Sequence, residues 1–419
     1  MRIGIVPSLA ACFIALGLTL SPCGVATAAD WQPSFSCARA ARTVERMICT
    51  HAVLARADRE LDDLYRRAVG PGASVDARKA LRDEQRAWLK QRDQTCLGKM
   101  TIEQARQDLQ PFVYLRDAYG DRIRSLRDAV SPPLLPTALV EVDTTAMDTP
   151  SGFRGGSFSA DARVLAVRAT HGSDEAARRV WLYPLDGKLP VAATPVLGNP
   201  DANSEAVVSG DIRLAWDGDT LYVRSKSGAG AMSVNAATVR GGSSRLATLS
   251  PEVEVLFRRA RWYLPSEDDL ARVQDDGMPR DGIFALGDYL VWLSDRSRGN
   301  IVLRLTARHD ARSPVQDVAF GSWELMRLAF DRTHLIWPSR DGLMLLDLGH
   351  DVPHRIAGTI TGDLPVAYDG ASRMLAWAST RPCGSAATGS EADLDPMVPH
   401  PWLCLARLPA SWPVALPLP

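Results

Sequence analysis

A surplus of charge of either sign is what this chain most plainly lacks. It carries 48 Lys+Arg against 49 Asp+Glu over 419 residues, a formal net charge of -1. That balance gives no electrostatic footprint for a nucleic-acid partner. Long apolar runs are also absent beyond the first twenty or so residues, and a bilayer span needs roughly 20 of them. There is no Gly-x-Ser-x-Gly elbow, Walker loop, dinucleotide glycine fingerprint or His-Glu-x-x-His. Those motifs place nucleophiles, phosphates and zinc, so their absence removes the commonest signs of an enzyme.

What is present begins with a leader. Arg2, the mostly apolar run Ile3 to Leu20, and Ala26-Thr27-Ala28-Ala29 read as a secretory signal cleaved near residue 29. Pro22 directly before Cys23 fits lipid attachment poorly, so a soluble periplasmic or secreted protein is expected. Of the seven cysteines, Cys12 and Cys23 leave with the leader. Cys37, Cys49, Cys96, Cys383 and Cys404 remain, in a compartment where pairing is favoured.

The flat net charge hides two regions. Asp30 to Val130 holds 19 Lys+Arg and 15 Asp+Glu, whereas Ser131 onward holds 28 and 34. An apolar content of 46% and this length imply at least two domains. The first, residues 30–130, has helical periodicity. Leu54, Ala57, Leu61, Leu64, Tyr65 and Ala68 recur at three- and four-residue steps. Gly70-Pro71-Gly72 stops that helix, and Asp76 is read as the cap of the next, which turns Leu81, Trp88 and Leu89 inward. Thr101 and Gln104 have capping-box spacing. A last helix aligns Phe112, Leu115, Tyr119, Ile123 and Leu126, with Arg116, Asp117, Asp121, Arg122 and Arg124 on a solvated face.

Several residues of this region come in a fixed order. They are Phe35-Ser36-Cys37, Val44-Glu45-Arg46 with Ile48-Cys49, Leu61 and Tyr65, then Leu81 to Leu89 with Gln91-Arg92-Asp93, and finally Leu115-Arg116, Tyr119 and Arg122-Ile123. In that order they resemble the LprI-type lysozyme-inhibitor domain. The resemblance implies a disulfide-stapled helical fold that binds and inhibits a muramidase. It also implies a Cys37–Cys49 bridge. The family places a further cysteine where Tyr114 stands, which leaves Cys96 as the odd thiol, with Cys37–Cys96 as the competing pairing. Gln85, Arg86, Arg92 and Asp93 are the candidate partner-binding residues. Packing of Trp88 and ion pairs on helix turns are the plainer account of the same motif.

Ser131-Pro132-Pro133-Leu134-Leu135-Pro136 reads as a stiff linker (131–136). Beyond it the helical period gives way to short apolar runs around Asp-containing turns. Ser159–Arg168, Ile212–Arg224, Ile283–Ser294, Leu328–Trp337 and Val366–Ala378 are five versions of one unit. Asp288 and Asp331 are 43 residues apart, Asp331 and Asp369 are 38 apart. Blade-sized spacing of that order predicts a β-propeller over 137–419, with a β-sandwich pair as the alternative. The pattern is similar to TolB-like and WD40-like blades. The length accommodates six or seven, with hidden units sought at Thr137–Met147 and Val253–Leu264. Pro265–Asp281 and Gly384–Pro401 read as loop insertions, and Cys383 and Cys404 bracket the second closely enough to be joined.

The fold expected is therefore multi-domain, α followed by all-β. No catalytic residue, metal site or cofactor is assigned. His350 and His354 share a ligand-like spacing, but Gly349 and Pro353 oppose a helix there. His334 is read as structural, and Asp217-Gly218-Asp219 as a turn. The function expected is that of an exported envelope-binding protein, with lysozyme or another envelope protein as partner through the helical module. A propeller hydrolase or lyase with an accessory helical domain is the alternative.

Overall fold

The computed structural model describes residues 32–71, 73–97, 103, 109–144, 152–171, 174–185, 191–192, 213–226, 232–238, 244–260, 263–273, 283–295, 301–310, 312–321, 323–350, 352–385 and 398–410. The leader, the Thr101–Gln104 capping box and the Cys96 side chain lie outside them. Two compact units emerge, one drawn from Met1–Val69 and Arg78–Ile123, the other from Gly70–Ala77 and Arg124–Pro419.

The first unit is helical. A short 3-10 turn at Cys37–Arg39 leads into α1 (Thr43–Thr50), α2 (Ala52–Ala68), α3 (Val75–Leu97) and α4 (Leu109–Val130). The three- and four-residue spacing buries Leu54, Leu61, Leu64 and Ala68 of α2, Leu81 of α3, and Leu115, Tyr119 and Ile123 of α4. Ser74, not Asp76, caps α3: its hydroxyl accepts from the Ala77 amide at 3.1 Å. Asp76 sits in the first turn, where its charge still suits the helix dipole. A disulfide joins Cys37 to Cys49 and ties the 3-10 turn to the end of α1.

The second unit holds five four-stranded antiparallel sheets among the described residues. Blade I comprises β2 (Gly152–Phe158), β3 (Val164–His171), β4 (Asp174–Pro184) and β5 (Val191–Ala192). Blade II comprises β6 (Arg213–Asp217), β7 (Thr220–Lys226), β8 (Met232–Thr238) and β9 (Ser244–Ala247). Blade III comprises β10 (Ile283–Leu286), β11 (Tyr289–Asp295), β12 (Ile301–Ala307) and β13 (Gln316–Gly321). Blade IV comprises β14 (Ala329–Phe330), β15 (His334–Ser339), β16 (Gly342–Asp347) and β17 (His354–Arg355). Blade V takes β18 (Leu364–Asp369), β19 (Met374–Ser379) and β20 (Trp402–Arg407), and completes itself with β1 (Thr137–Val142). One hairpin turn of each sheet falls within one of the five units seen in the sequence: β2–β3, β6–β7, β10–β11, β14–β15 and β18–β19. The β6–β7 hairpin closes at Gly218-Asp219 with Asp217 opposite Thr220, and Gly218 takes φ 57°.

This pairing assigns the segments in which further units were sought. Thr137–Val142 is not a hidden blade but the outer strand that closes the last one, with Glu141 opposite Cys404. Val253–Leu264 is not a blade either. It contains most of α5 (Pro251–Arg259), whose N-cap Ser250 accepts from Val253 and whose N1 residue is proline. Pro265–Asp281, expected to be loop, contains α6 (Glu267–Val273). Its start is a reciprocal box, with Asp269 accepting from the Ser266 amide at 2.8 Å and Ser266 from the Asp269 amide at 3.2 Å.

Neighbouring blades share apolar cores. Ala166 and Leu182 of blade I meet Leu221 and Val223 of blade II. Leu293 and Leu303 of blade III meet Leu335 and Trp337 of blade IV. Leu343 and Leu345 meet Leu375 and Trp377 of blade V. Val142, Ala376 and Leu403 return to Phe153 and Leu165 of blade I. Between blades II and III the helices take the apolar faces: Val253 and Phe257 cover Ala215 and Val234, while Leu270 and Val273 cover Ile283 and Trp292. The strands inside this stack are buried on both faces: β12 is buried without a break from Val302 to Thr306, and its one charge, Arg304, is paired with Asp317.

The proline-rich segment places Leu134 in this unit's core, while Leu135 is exposed. Leu134 is fully buried, exchanges backbone hydrogen bonds with Arg355 and Ala357, and bridges to Ile356. Just before it, Arg124 and Arg127, in the end of α4 that belongs to this second unit, pair with Asp341, and Asp128 with Arg355. Cys383 and Cys404 form the second disulfide.

Candidate functional site: a buried polar network in the helical module

The family-like motif of the first unit converges on Tyr119. Its side chain is fully buried on α4, and its hydroxyl donates to Asp58 Oδ1 of α2 at 2.7 Å. Asp58 Oδ2 in turn accepts from the Ser34 amide at 2.9 Å and the Ser34 hydroxyl at 2.5 Å. On its other side the Tyr119 oxygen accepts from Arg92 Nη1 of α3 at 2.7 Å. The Arg92 guanidinium lies 5.4 Å from the Trp88 ring centre and 5.6 Å from that of Tyr119, whose rings meet edge to face. Arg92 is 4% exposed and forms an ion pair with Asp93 at 2.6 Å. Asp93 also receives Arg42, which holds Glu45 at 2.6 Å. One chain of polar contacts thus connects the N-terminal segment with all four helices.

The chemistry of this chain is structural. Burial pushes the Tyr119 hydroxyl far above its usual range, and the neighbouring Asp58 carboxylate adds to the shift. Tyr119 therefore stays protonated and keeps donating to Asp58. Glu45 accepts the Ala41 and Arg42 amides at 2.9 and 3.0 Å. Burial opposes its charge, but these amides and the Arg42 guanidinium outweigh that and hold its carboxyl below the usual range.

The four candidate binding residues separate clearly. Arg92 is interior and cannot meet a partner directly. Asp93 is half-buried and spends its oxygens on Arg92 and Arg42. Gln85 is half-buried and accepts from Arg122 Nε at 2.9 Å. Arg86 is exposed, with Asp83 3.6 Å away. Arg122, expected on a solvated face, is 6% exposed and reaches across to Glu84 at 2.5 Å. Glu84 itself remains 61% exposed. The reason is geometric: Tyr119, Arg122 and Leu126 are three and four residues apart, so Arg122 lies on the stripe that faces α3.

Asp58 was missed by reading, although a signal existed. It stands four residues after Leu54 and three before Leu61, on the apolar face of α2, where a carboxylate needs internal partners.

In the second unit a partly buried polar cluster sits at the β14–β15 turn. Asp331 accepts the Thr333 and His334 amides at 2.7 Å each, and lies 3.1 Å from His334 Nδ1. His334 packs edge-on against Tyr368. Burial raises the Asp331 carboxyl, but His334 and the Thr333 amide outweigh it and hold it below the usual range. This is an Asx turn that fixes a hairpin. His350 pairs with Asp347, while His354 contacts the Ser131 hydroxyl at 2.7 Å, so the two histidines face different partners. Among the described residues no three His, Cys, Asp or Glu side chains converge as metal ligands. No described helix is long and apolar enough to cross a membrane.

Comparison with known proteins follows the division into units. The sequence model of the family described as "Lysozyme inhibitor LprI" matches residues 37–124. No curated protein matches. Among solved structures, TolB from Acinetobacter baumannii is similar at 11% identity, covering 62% of this chain and 55% of that one, with a TM-score of 0.24. AtxE2 isopeptidase is similar at 14% identity over 53% and 36%, with a TM-score of 0.26. YCF48 from Cyanidioschyzon merolae is similar at 13% identity over 65% and 99%, with a TM-score of 0.30. The chain thus spans about half the length of the TolB chain and about a third of the isopeptidase. At such scores it is the five paired sheets, not the likeness, that define the propeller.

Proposed function

We propose that this is an exported envelope-binding protein whose helical module, residues 30–130, binds and inhibits a lysozyme-type muramidase, and whose propeller offers a second protein-interaction surface. The observation that carries this reading is the family match over residues 37–124. Two formed disulfides agree with an oxidising compartment beyond the cytoplasm.

Within this reading the motif residues have unequal parts. Arg92 and Asp93 are positioning residues that set α3 against α4. Gln85 and Arg86 lie nearer the surface. Glu84, steered by the buried Arg122, is the carboxylate best placed to meet a basic enzyme. The module is itself net positive, so a basic muramidase would gain no long-range attraction, and binding must rest on close contacts. The test is a titration of mature protein against several lysozymes at low and moderate salt. Inhibition that survives moderate salt and weakens in Glu84→Ala supports the reading; no binding to any lysozyme overturns it.

A further inference from the structure

A second feature of α3 overlaps the family-like motif only at Arg82 and Arg86. Lys79, Arg82, Arg86 and Lys90 are all exposed. At 100° per residue they fall within an arc of about 80° on one side of the helix, spread over roughly 16 Å of its length. That side is turned away from Ala77, Leu81 and Arg92, which are buried. Lys79 and Arg86 extend well into solvent, at 80% and 78% side-chain exposure. The carboxylate among them is Asp83, shared between Lys79 at 3.9 Å and Arg86 at 3.6 Å. Among the described residues no carboxylate pairs with Arg82 or Lys90. From Lys79 to Lys90 the side therefore carries a net charge of about +3; Asp93, one turn beyond on the same side, is paired with Arg92 and Arg42.

The geometry decides between kinds of anion. A bound phosphate or a single carboxylate needs donors that converge. These cations diverge along an axis, on a convex helix surface with Ala80 and Ala87 beside them, also exposed. Such an array suits a surface whose negative charge is spread out. It also repels a basic protein, so it is an unsuitable contact for a lysozyme. We infer that this face of α3 docks the module on an anionic lipid bilayer. Basic side chains near such a surface act additively, each strengthening attachment about five-fold at moderate ionic strength.

The experiment is co-sedimentation of the mature protein with vesicles. One set contains about 30 mol% phosphatidylglycerol in phosphatidylcholine, the other phosphatidylcholine alone. Wild type is expected to sediment with the anionic vesicles at about 50 mM salt, to leave them at about 300 mM, and to ignore the neutral ones. The variant Lys79→Gln/Arg82→Gln/Arg86→Gln/Lys90→Gln should lose the association by at least a hundred-fold, while Arg82→Lys/Arg86→Lys keeps it. All four sites are exposed, so unchanged circular dichroism will show that the variants fold. Failure of wild type to bind anionic vesicles, equal binding to neutral ones, or full binding by the quadruple variant would overturn the inference. No lysozyme is present in the assay, so its result is separate from that of the muramidase reading.

Discussion

The helical module and the propeller are specified in opposite ways. In the module a few polar residues hold specific partners: Asp58 accepts from Ser34 and Tyr119, Tyr119 accepts from Arg92, and Arg92 lies against two rings. In the propeller the same roles recur five times with interchangeable residues. Turns hold by local aspartates, and seams close with whichever Leu, Val or Trp fits. Unique partners constrain a sequence tightly, so a family model matches residues 37–124. Repeated, redundant contacts constrain only a pattern.

The largest effect should come from breaking a unique partner. Arg92→Ala strips the buried Tyr119 hydroxyl of its donor and leaves Asp93 half-paired. A loss of about 3 kcal/mol in the module's unfolding free energy is expected in urea denaturation. If Arg92 were a surface contact residue, stability would scarcely change.

Removing the propeller's covalent staple by Cys383→Ser with Cys404→Ser opens a loop with a sequence separation of 21. The chain-entropy account puts this at about 3 kcal/mol, read as a lower melting temperature of the propeller. A smaller, seam-specific cost is expected for Gly370→Ala. A Cβ there would stand 1.8 Å from Asp331 Oδ2 of the neighbouring blade, so one of the two must move. Overpacking of this kind costs about 1–3 kcal/mol, and Gly218→Ala, where a Cβ meets nothing, separates steric crowding from turn strain.

Acid should weaken both units. Glu45 in the module and Asp331 in blade IV have carboxyls held below the usual range when folded. Their stabilising contribution is present above the unfolded carboxyl pKa, near pH 4, and is lost as pH falls through the folded value. Asp331→Asn should flatten the low-pH limb of the propeller's stability curve and leave the module's unchanged. Smallest of all, Asp83→Asn removes only exposed pairs and should cost under about 0.5 kcal/mol.

The sequence conveyed the architecture better than the interior chemistry. Helices, repeats and the cysteines at the Gly384–Pro401 insertion were readable because periodicity and turn residues are local signals. The polar network was not, since Arg122 and Arg92 look like ordinary helix-surface charges until α3 and α4 are packed together. Strand β1 was misjudged for a related reason: its partner, β20, lies at the far end of the chain. The helix at Pro251–Arg259 could have been recognised. Ser250-Pro251-Glu252 is a start signal, and Val253 and Phe257 have helical spacing, but attention to strands hid it.

The central claim is that the motif residues of the helical module act on one another. A double-mutant cycle on Asp58→Ala and Tyr119→Phe, read by urea unfolding, tests it most directly. The account predicts an interaction energy of about 1 kcal/mol or more, because each substitution alone leaves its partner buried and unsatisfied. Additivity within about 0.3 kcal/mol would contradict it, and would return these residues to the surface role that the motif first invites.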